Sequence, residues 1–193
     1  SSVLQMLRVP LESGSITLSR AGRSTIFPAK FQLLLSTNPC PCGNFGSSEK
    51  ICLCSSRAVE QYWRKFSGPL LDRIDIRVQV ESKAAKEGVA GISSAELRKK
   101  IASAIRIQRK RQGKKNVFLT PSEIAEFCKL TEEARKLLDT ASDRYEFSPR
   151  AVSGCLKLAR TIADMESKPD IDGKSMEEAI VYRKPQGAMD VMK

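Results

Sequence analysis

Near residue 82 the spacing of apolar side chains changes period, and that switch restricts the chain to two differently built parts. Upstream, short apolar runs alternate with turn residues, as in strands joined by tight connections. Downstream, apolar residues recur at helical spacing. Val3, Leu4, Met6 and Leu7 predict a helix that stops at Pro10. Residues 15–20 and 24–27 predict a β-hairpin around Ala21-Gly22-Arg23. The continuous apolar run 31–36 predicts a fully buried strand, and the alternation of Ile74, Ile76, Val78 and Val80 predicts a second strand over 73–80. Between them lie a cysteine-rich loop and a helix over about 56–66.

After Val80 the polar stretch 81–93, with two glycines, is expected to be a linker, and everything beyond it to be helical. Ser93 with Glu96 and Thr120 with Glu123 have capping-box spacing, the second with Pro121 at the first helical position. Ser148-Pro149 opens a further helix whose Val152, Leu156, Leu158, Ala159 and Ile162 form an apolar stripe, and a last helix covers about 175–183. The expected architecture is α/β plus all-α. Part of an α/β sheet domain (1–82) leads through a linker (83–93) to a helical bundle (94–193) of four or five helices.

Composition narrows the chemistry. The 193 residues include 41% hydrophobic ones, enough to bury a core. No run approaches a membrane span and no charged start precedes an apolar stretch, so the chain is expected to be cytoplasmic with no membrane partner. It opens Ser1-Ser2-Val3 without methionine, which suggests a piece of a longer protein. The 33 basic against 22 acidic residues give +11, which favours a polyanion such as DNA, although a merely solubilising surface would show the same excess. Histidine is absent, so imidazole bases, catalytic triads and His-containing metal sites are excluded. Carboxylates, lysines, arginines and thiols remain.

Two close cysteine pairs, Cys40-Pro-Cys42 and Cys52-Leu-Cys54, are separated by a loop rich in Gly, Asn and Ser. Four thiolates can hold a tetrahedral Zn2+, and a structural four-cysteine site is the favoured reading. Free thiols and disulfides are the alternatives, because one intervening residue makes a tighter chelate than the usual C-x-x-C. Cys128 and Cys155 fall in helical apolar patterns and read as core residues.

The segments VLQMLRVPLESGSITLSR from Val3, FPAKFQLLLSTNPCPCG from Phe27, SGPLLDRIDI from Ser67 and FSPRAVSGCLKLARTIADMES from Phe147 occur in this order. Together they resemble the magnesium-chelatase-like AAA+ ATPases of the ComM/YifB family over nearly the whole chain, from about Val3 to Arg183. In that family these segments follow a Walker A loop and a Walker B acidic pair. Neither is present here, so the chain alone is expected not to hydrolyse ATP.

The resemblance implies a partial AAA+ (RecA-like) core followed by a lid, with ATP and Mg2+ held mainly by the missing N-terminal part. It puts Asn38 at sensor 1, where an amide can donate and accept at once. Asn38-Pro39 could also simply end a strand in a turn. Arg73 falls at the arginine finger, which reaches a neighbouring subunit's nucleotide and therefore implies a self-assembled ring, a hexamer. An ordinary ion pair of Arg73 with Asp72 or Asp75 is the competing reading. Arg150 resembles the sensor 2 arginine, in the first turn of the helix capped by Ser148, where free amides also attract anions. Arg160, further along that helix, reads as structural.

Arg20 and Arg23 flank the hairpin turn and are the candidate DNA contacts. The denser basic run 106–115 is accounted for by solvated cations at a helix C-terminus. The resulting expectation is an ATP-driven motor for DNA remodelling or branch migration in recombination and competence. A magnesium chelatase ATPase subunit, or a zinc-stapled DNA-binding module without catalysis, are the alternatives.

Overall fold

A computed structural model describes residues 2–80 and 91–184. Most of the expected linker, together with residues 185–193, lies outside them. The described residues form two compact units, one of residues 2–74 and 79–80, the other of 75–78 and 91–184. They combine a small two-stranded sheet with many helices, and no described helix is long and apolar enough to cross a membrane.

In the first unit, α1 (Ser2–Met6) and α2 (Arg8–Ser13) stand in place of the single expected helix ending at Pro10. Pro10 does not stop the chain. It occupies the third position of α2, where a backbone N–H would have no helical partner in any case, so a proline there forfeits nothing. Gly14 closes α2 in the left-handed region at φ 64°. The hairpin follows as β1 (Ser15–Arg20) and β2 (Arg23–Pro28), antiparallel, with Ser15 opposite Pro28 and Arg20 opposite Arg23. After the cysteine loop come α3 (Ser56–Trp63), capped by Ser55, and α4 (Gly68–Leu71), capped by Ser67. The Ser67 hydroxyl also donates to Gln5 Oε1 at 2.6 Å, which ties α4 to α1.

Both strands expected outside the hairpin are absent among the described residues. Residues 31–36 run without regular structure, with Leu34 86% exposed, because no described segment offers them a strand to pair with. Residues 75–78 take another partner. The Arg77 N–H donates to the Tyr182 carbonyl at 2.9 Å, the Arg77 guanidinium to the Arg183 carbonyl at 3.2 Å, and Arg183 Nη1 to Asp75 at 3.2 Å. The alternating pattern therefore docks on a helix end instead of joining a sheet.

The second unit is helical: α5 (Ser94–Gln112), a 3-10 turn (Asn116–Phe118), α6 (Pro121–Phe127), α7 (Glu132–Tyr145), α8 (Pro149–Met165) and α9 (Gly173–Arg183). Ser93/Glu96 and Thr120/Glu123 form complete capping boxes, and Ser148 accepts from the Ala151 N–H. The helix expected at 175 starts at Gly173 because Asp172 is its cap, accepting from the Ser175 N–H. Ala134, Leu138, Cys155, Ala159, Ile162, Ile171, Met176 and Ala179 form the core. Full burial of each large member contributes roughly 1.5–3 kcal/mol. A parallel bridge between Leu130 and Ile171 closes the α6–α7 and α8–α9 connections on each other.

One polar network crosses this core. Asp164, wholly buried, receives Arg111 Nη1 at 2.6 Å and Nη2 at 3.0 Å, Arg160 Nε at 3.1 Å and Asn116 Nδ2 at 2.9 Å. Arg160 spends its other donors on the Pro169 and Lys168 carbonyls at 2.7 and 2.6 Å, as a structural residue should. The basic run 106–115 is accordingly divided. Arg111 is fixed in this network and Lys114 pairs with Glu123 at 2.7 Å, while Arg106, Arg109, Lys110 and Lys115 are exposed.

Candidate functional site

The hairpin tip is a two-residue turn with both central residues in the left-handed region, Ala21 at φ 48° and Gly22 at φ 75°. That turn twists with the strands and so favours a tight hairpin, although alanine is strained there. Arg23 is the first residue of β2 and lies directly opposite Arg20. Like charges in cross-strand positions destabilise a hairpin, and an anion between them would relieve that. Nearly every hairpin residue is exposed, including Leu18 at 59% and Ile26 at 69%. Two strands alone are marginal in water.

Asn38 is exposed in the chain leading into the cysteine loop. Its amide faces Gly43, where an added Cβ would lie 3.8 Å from Nδ2. The residues on either side are fixed: the Thr37 hydroxyl bonds Tyr62 Oη at 2.8 Å, and the Pro39 carbonyl accepts from Trp63 Nε1 at 2.8 Å. Cys40, Val59 and Trp63 form the buried centre of the unit, with Phe45, Tyr62 and Phe66 against it.

Cys40, Cys42, Cys52 and Cys54 come together, all four sulfurs lying within 4.8 Å of one another. Cys40 to Cys42 is 3.4 Å, Cys40 to Cys52 3.7 Å and Cys42 to Cys52 3.6 Å. A backbone hydrogen bond involving Asn44, and after it the Cys40 thiol, hold the Cys42 thiol down at about 6. The lowering is confined to Cys42: beside it Cys52 is raised, and the Cys42 thiol pushes Cys54 up to about 12. Burial pushes Cys128 up to about 11 and Cys155 up to about 12, so they stay neutral thiols in the core.

Arg73 follows α4 with a mostly covered side chain, 14% exposed. Its Nη1 donates to the Pro69 carbonyl at 2.7 Å and its Nη2 pairs with Glu12 of α2. Its buried Nε meets no acceptor among the described residues. The competing sequence reading pairs it with Asp72 or Asp75. Instead Glu12, 61 residues away, takes that place, and Asp75 pairs with Arg183. No local spacing announces Glu12, because the pairing depends on how α2 packs.

Arg150 is the second residue of α8 and is half-buried. Burial, and then the Arg150 charge, draw Lys157 two turns on below its ordinary value, against the opposing pull of Asp75. Arg150 sits in the first turn of this 17-residue helix, where the dipole favours an anion. Gly173-Lys174-Ser175 at the start of α9 is no phosphate loop. Lys168 stands where such a loop has its first glycine, and the Glu133 carboxylate fills the space that a side chain at Gly173 would need.

Residues 1–88 match the family described as magnesium chelatase, subunit ChlI, and residues 91–183 the family described as the C-terminal part of that subunit. The chain is 37% identical over 185 residues to the competence protein ComM of Haemophilus influenzae, covering 94% of this chain and 36% of that protein. It is 36% identical over 184 residues to YifB of Escherichia coli (93% and 36% covered) and 34% identical over 184 residues to YifB of Salmonella typhimurium (93% and 36% covered). The chain thus spans about a third of the length of these relatives.

Proposed function

The chain belongs to the magnesium-chelatase-like family that includes ComM and YifB, and from that premise we propose that it is the sensor-and-lid portion of an ATP-driven ring motor acting on DNA in the cytoplasm. The observation that carries this reading is the similarity, over 94% of the chain, to a relative named as a competence protein. In this reading residues 1–82 complete an AAA+ core, 83–93 link it to the lid, and 94–193 form the lid.

The residues present suit an anionic nucleotide. Arg150 adds a guanidinium to a helix start that already favours anions, and Asn38 has an exposed amide held between two anchored neighbours. Mg-ATP supplies a cleavable phosphoanhydride bond. Asn38 would orient the attacking water, Arg150 would sense the terminal phosphate and couple it to lid position, and Arg73 would neutralise charge at a neighbouring copy's site in a hexameric ring. To do so, Arg73 must leave Glu12. Arg20 and Arg23 would track DNA phosphates from the hairpin tip.

The description of the matching family supports a second reading, an ATPase subunit of a magnesium chelatase. The two separate in one experiment on a polypeptide of the relatives' full length. Steady-state ATPase is measured alone, with branched DNA, and with a chelatase partner and porphyrin. Stimulation by branched DNA supports the motor, and stimulation only by the chelatase partner replaces it. Tight, salt-sensitive DNA binding by the 193-residue chain, with no ATPase in the longer polypeptide, would leave only a DNA-binding module.

A further inference from the structure

We propose that Cys40, Cys42, Cys52 and Cys54 hold one structural Zn2+, and that this ion, through Cys40 and the Pro39–Trp63 hydrogen bond, fixes the backbone that carries Asn38. A tetrahedral ion with sulfurs at about 2.3 Å places its ligands about 3.8 Å apart. The separations among Cys40, Cys42 and Cys52 are 3.4, 3.6 and 3.7 Å and none of the six exceeds 4.8 Å, so thiol shifts of at most about 1 Å complete the shell.

Other occupants fit less well. A disulfide requires sulfurs about 2.05 Å apart, and all six cysteines are free. An iron–sulfur cluster spreads its thiolates around a body of several atoms, which four sulfurs within 4.8 Å of one another cannot enclose. Zinc binding is balanced by the release of the thiol protons to solvent, and four sulfur ligands leave no open position for a reacting water. The site is therefore structural.

The loop needs such a staple. Residues 29–55 contain no helix or strand, and among the described residues the fully buried members of the cluster beneath them are Cys40, Val59 and Trp63. So small a core does not order a long loop unaided. Cys40 is both a ligand and a core residue, wholly buried. The adjacent Pro39 carbonyl receives Trp63, so the metal, the aromatic cluster and Asn38 lie on one short stretch of backbone.

Trp63 is the sole tryptophan and reports on this stretch directly. The chain, purified under reducing conditions with zinc, should contain one Zn2+ per molecule. Cobalt in its place should give the visible bands of a tetrahedral four-sulfur site. Stripping with a chelator should shift Trp63 emission to the red while the far-ultraviolet helical signal stays, and zinc should restore the emission. Cys42→Ser with Cys54→Ser should lower zinc content about tenfold, and Cys128→Ser should not. Less than a tenth of an equivalent of metal in the wild-type chain, an octahedral cobalt spectrum, or undiminished zinc in the double variant would overturn the site. If the double variant does not fold, the wild-type cobalt spectrum decides. Unchanged Trp63 emission on stripping would overturn the anchoring of Asn38. None of these readings depends on ATPase activity, so the motor and the metal site can fail separately.

Discussion

Asp164→Ala should be among the most damaging substitutions in the helical unit. Asp164 is wholly buried and, among the described residues, is the only acid bonded to Arg160, which is itself wholly buried; it also holds both Nη atoms of Arg111. Breaking a buried ion pair by removing one partner costs about 3–5 kcal/mol, because the remaining charge keeps its desolvation penalty without its attraction. The two arginines differ in how they can respond. Arg111 is 22% exposed and can turn toward water, whereas Arg160 is pinned by the Pro169 and Lys168 carbonyls and cannot. The loss is therefore dominated by Arg160. Against a total stability of about 5–15 kcal/mol for a domain, it removes about a fifth at the least and up to all of it.

Urea unfolding followed by far-ultraviolet circular dichroism measures the loss, with an unchanged slope confirming that the same surface unfolds. Asp164→Ala combined with Arg160→Met should be no less stable than Asp164→Ala alone, because the second change removes the stranded charge and leaves an apolar chain of similar length. A loss below about 1 kcal/mol for the single variant, or a double variant whose loss is the sum of the two singles, would refute the account.

Three further outcomes are expected. The Lys114 side chain, and after it the Thr120 backbone N–H, hold Glu123 down at about 2, so its contribution to stability is complete above the ordinary glutamate value and is lost as pH falls toward 2. Glu123→Gln should flatten the acid limb of the urea midpoint between about pH 4.5 and 2, and an unchanged limb would exclude the pair as its source. In the full-length protein, Arg20→Ala with Arg23→Ala should reduce the slope of log K against log salt for DNA by about 1.4–1.8 per engaged hairpin, read by fluorescence anisotropy, and an unchanged slope would remove the hairpin from the DNA path. In the same protein, Arg73→Ala should lower steady-state ATPase on the order of 10³-fold, while Glu12→Gln should leave it within a few-fold; equal losses would make the pair structural.

What could be read from the sequence was what lies close together along it. The capping boxes at Ser93 and Thr120 and the Ser148 cap formed as expected because each needs only the next three residues. The hairpin formed for the same reason, although Arg23 joined a strand and left a tighter Ala21-Gly22 turn. The cysteine pairs converged because their loop brings Cys40 and Cys52 together from 12 residues apart. Partners supplied from a distance were invisible. The run 31–36 has strand-like residues but no described strand beside it, and 75–78 gave its hydrogen bonds to the end of α9, more than 100 residues on. The basic run 106–115 looked uniform, yet Arg111 belongs to a carboxylate 53 residues away.

The same distinction sorts the arginines by what they can exchange. Arg160 has three fixed acceptors and no contact with water, so any new partner would have to replace a complete buried set. Arg73 is held differently: its carboxylate partner Glu12 is 54% exposed, and its Nε has no acceptor among the described residues. Because the acid faces solvent, water takes over the carboxylate when the pair opens, and the expense falls on the mostly covered guanidinium. A polyphosphate has more charge than one carboxylate and oxygens arrayed for a guanidinium fork, which is what the proposed role of Arg73 requires of a partner that replaces Glu12. The intrachain pair therefore argues for a resting position of Arg73, and the exposure of its partner is what would let a nucleotide draw it away.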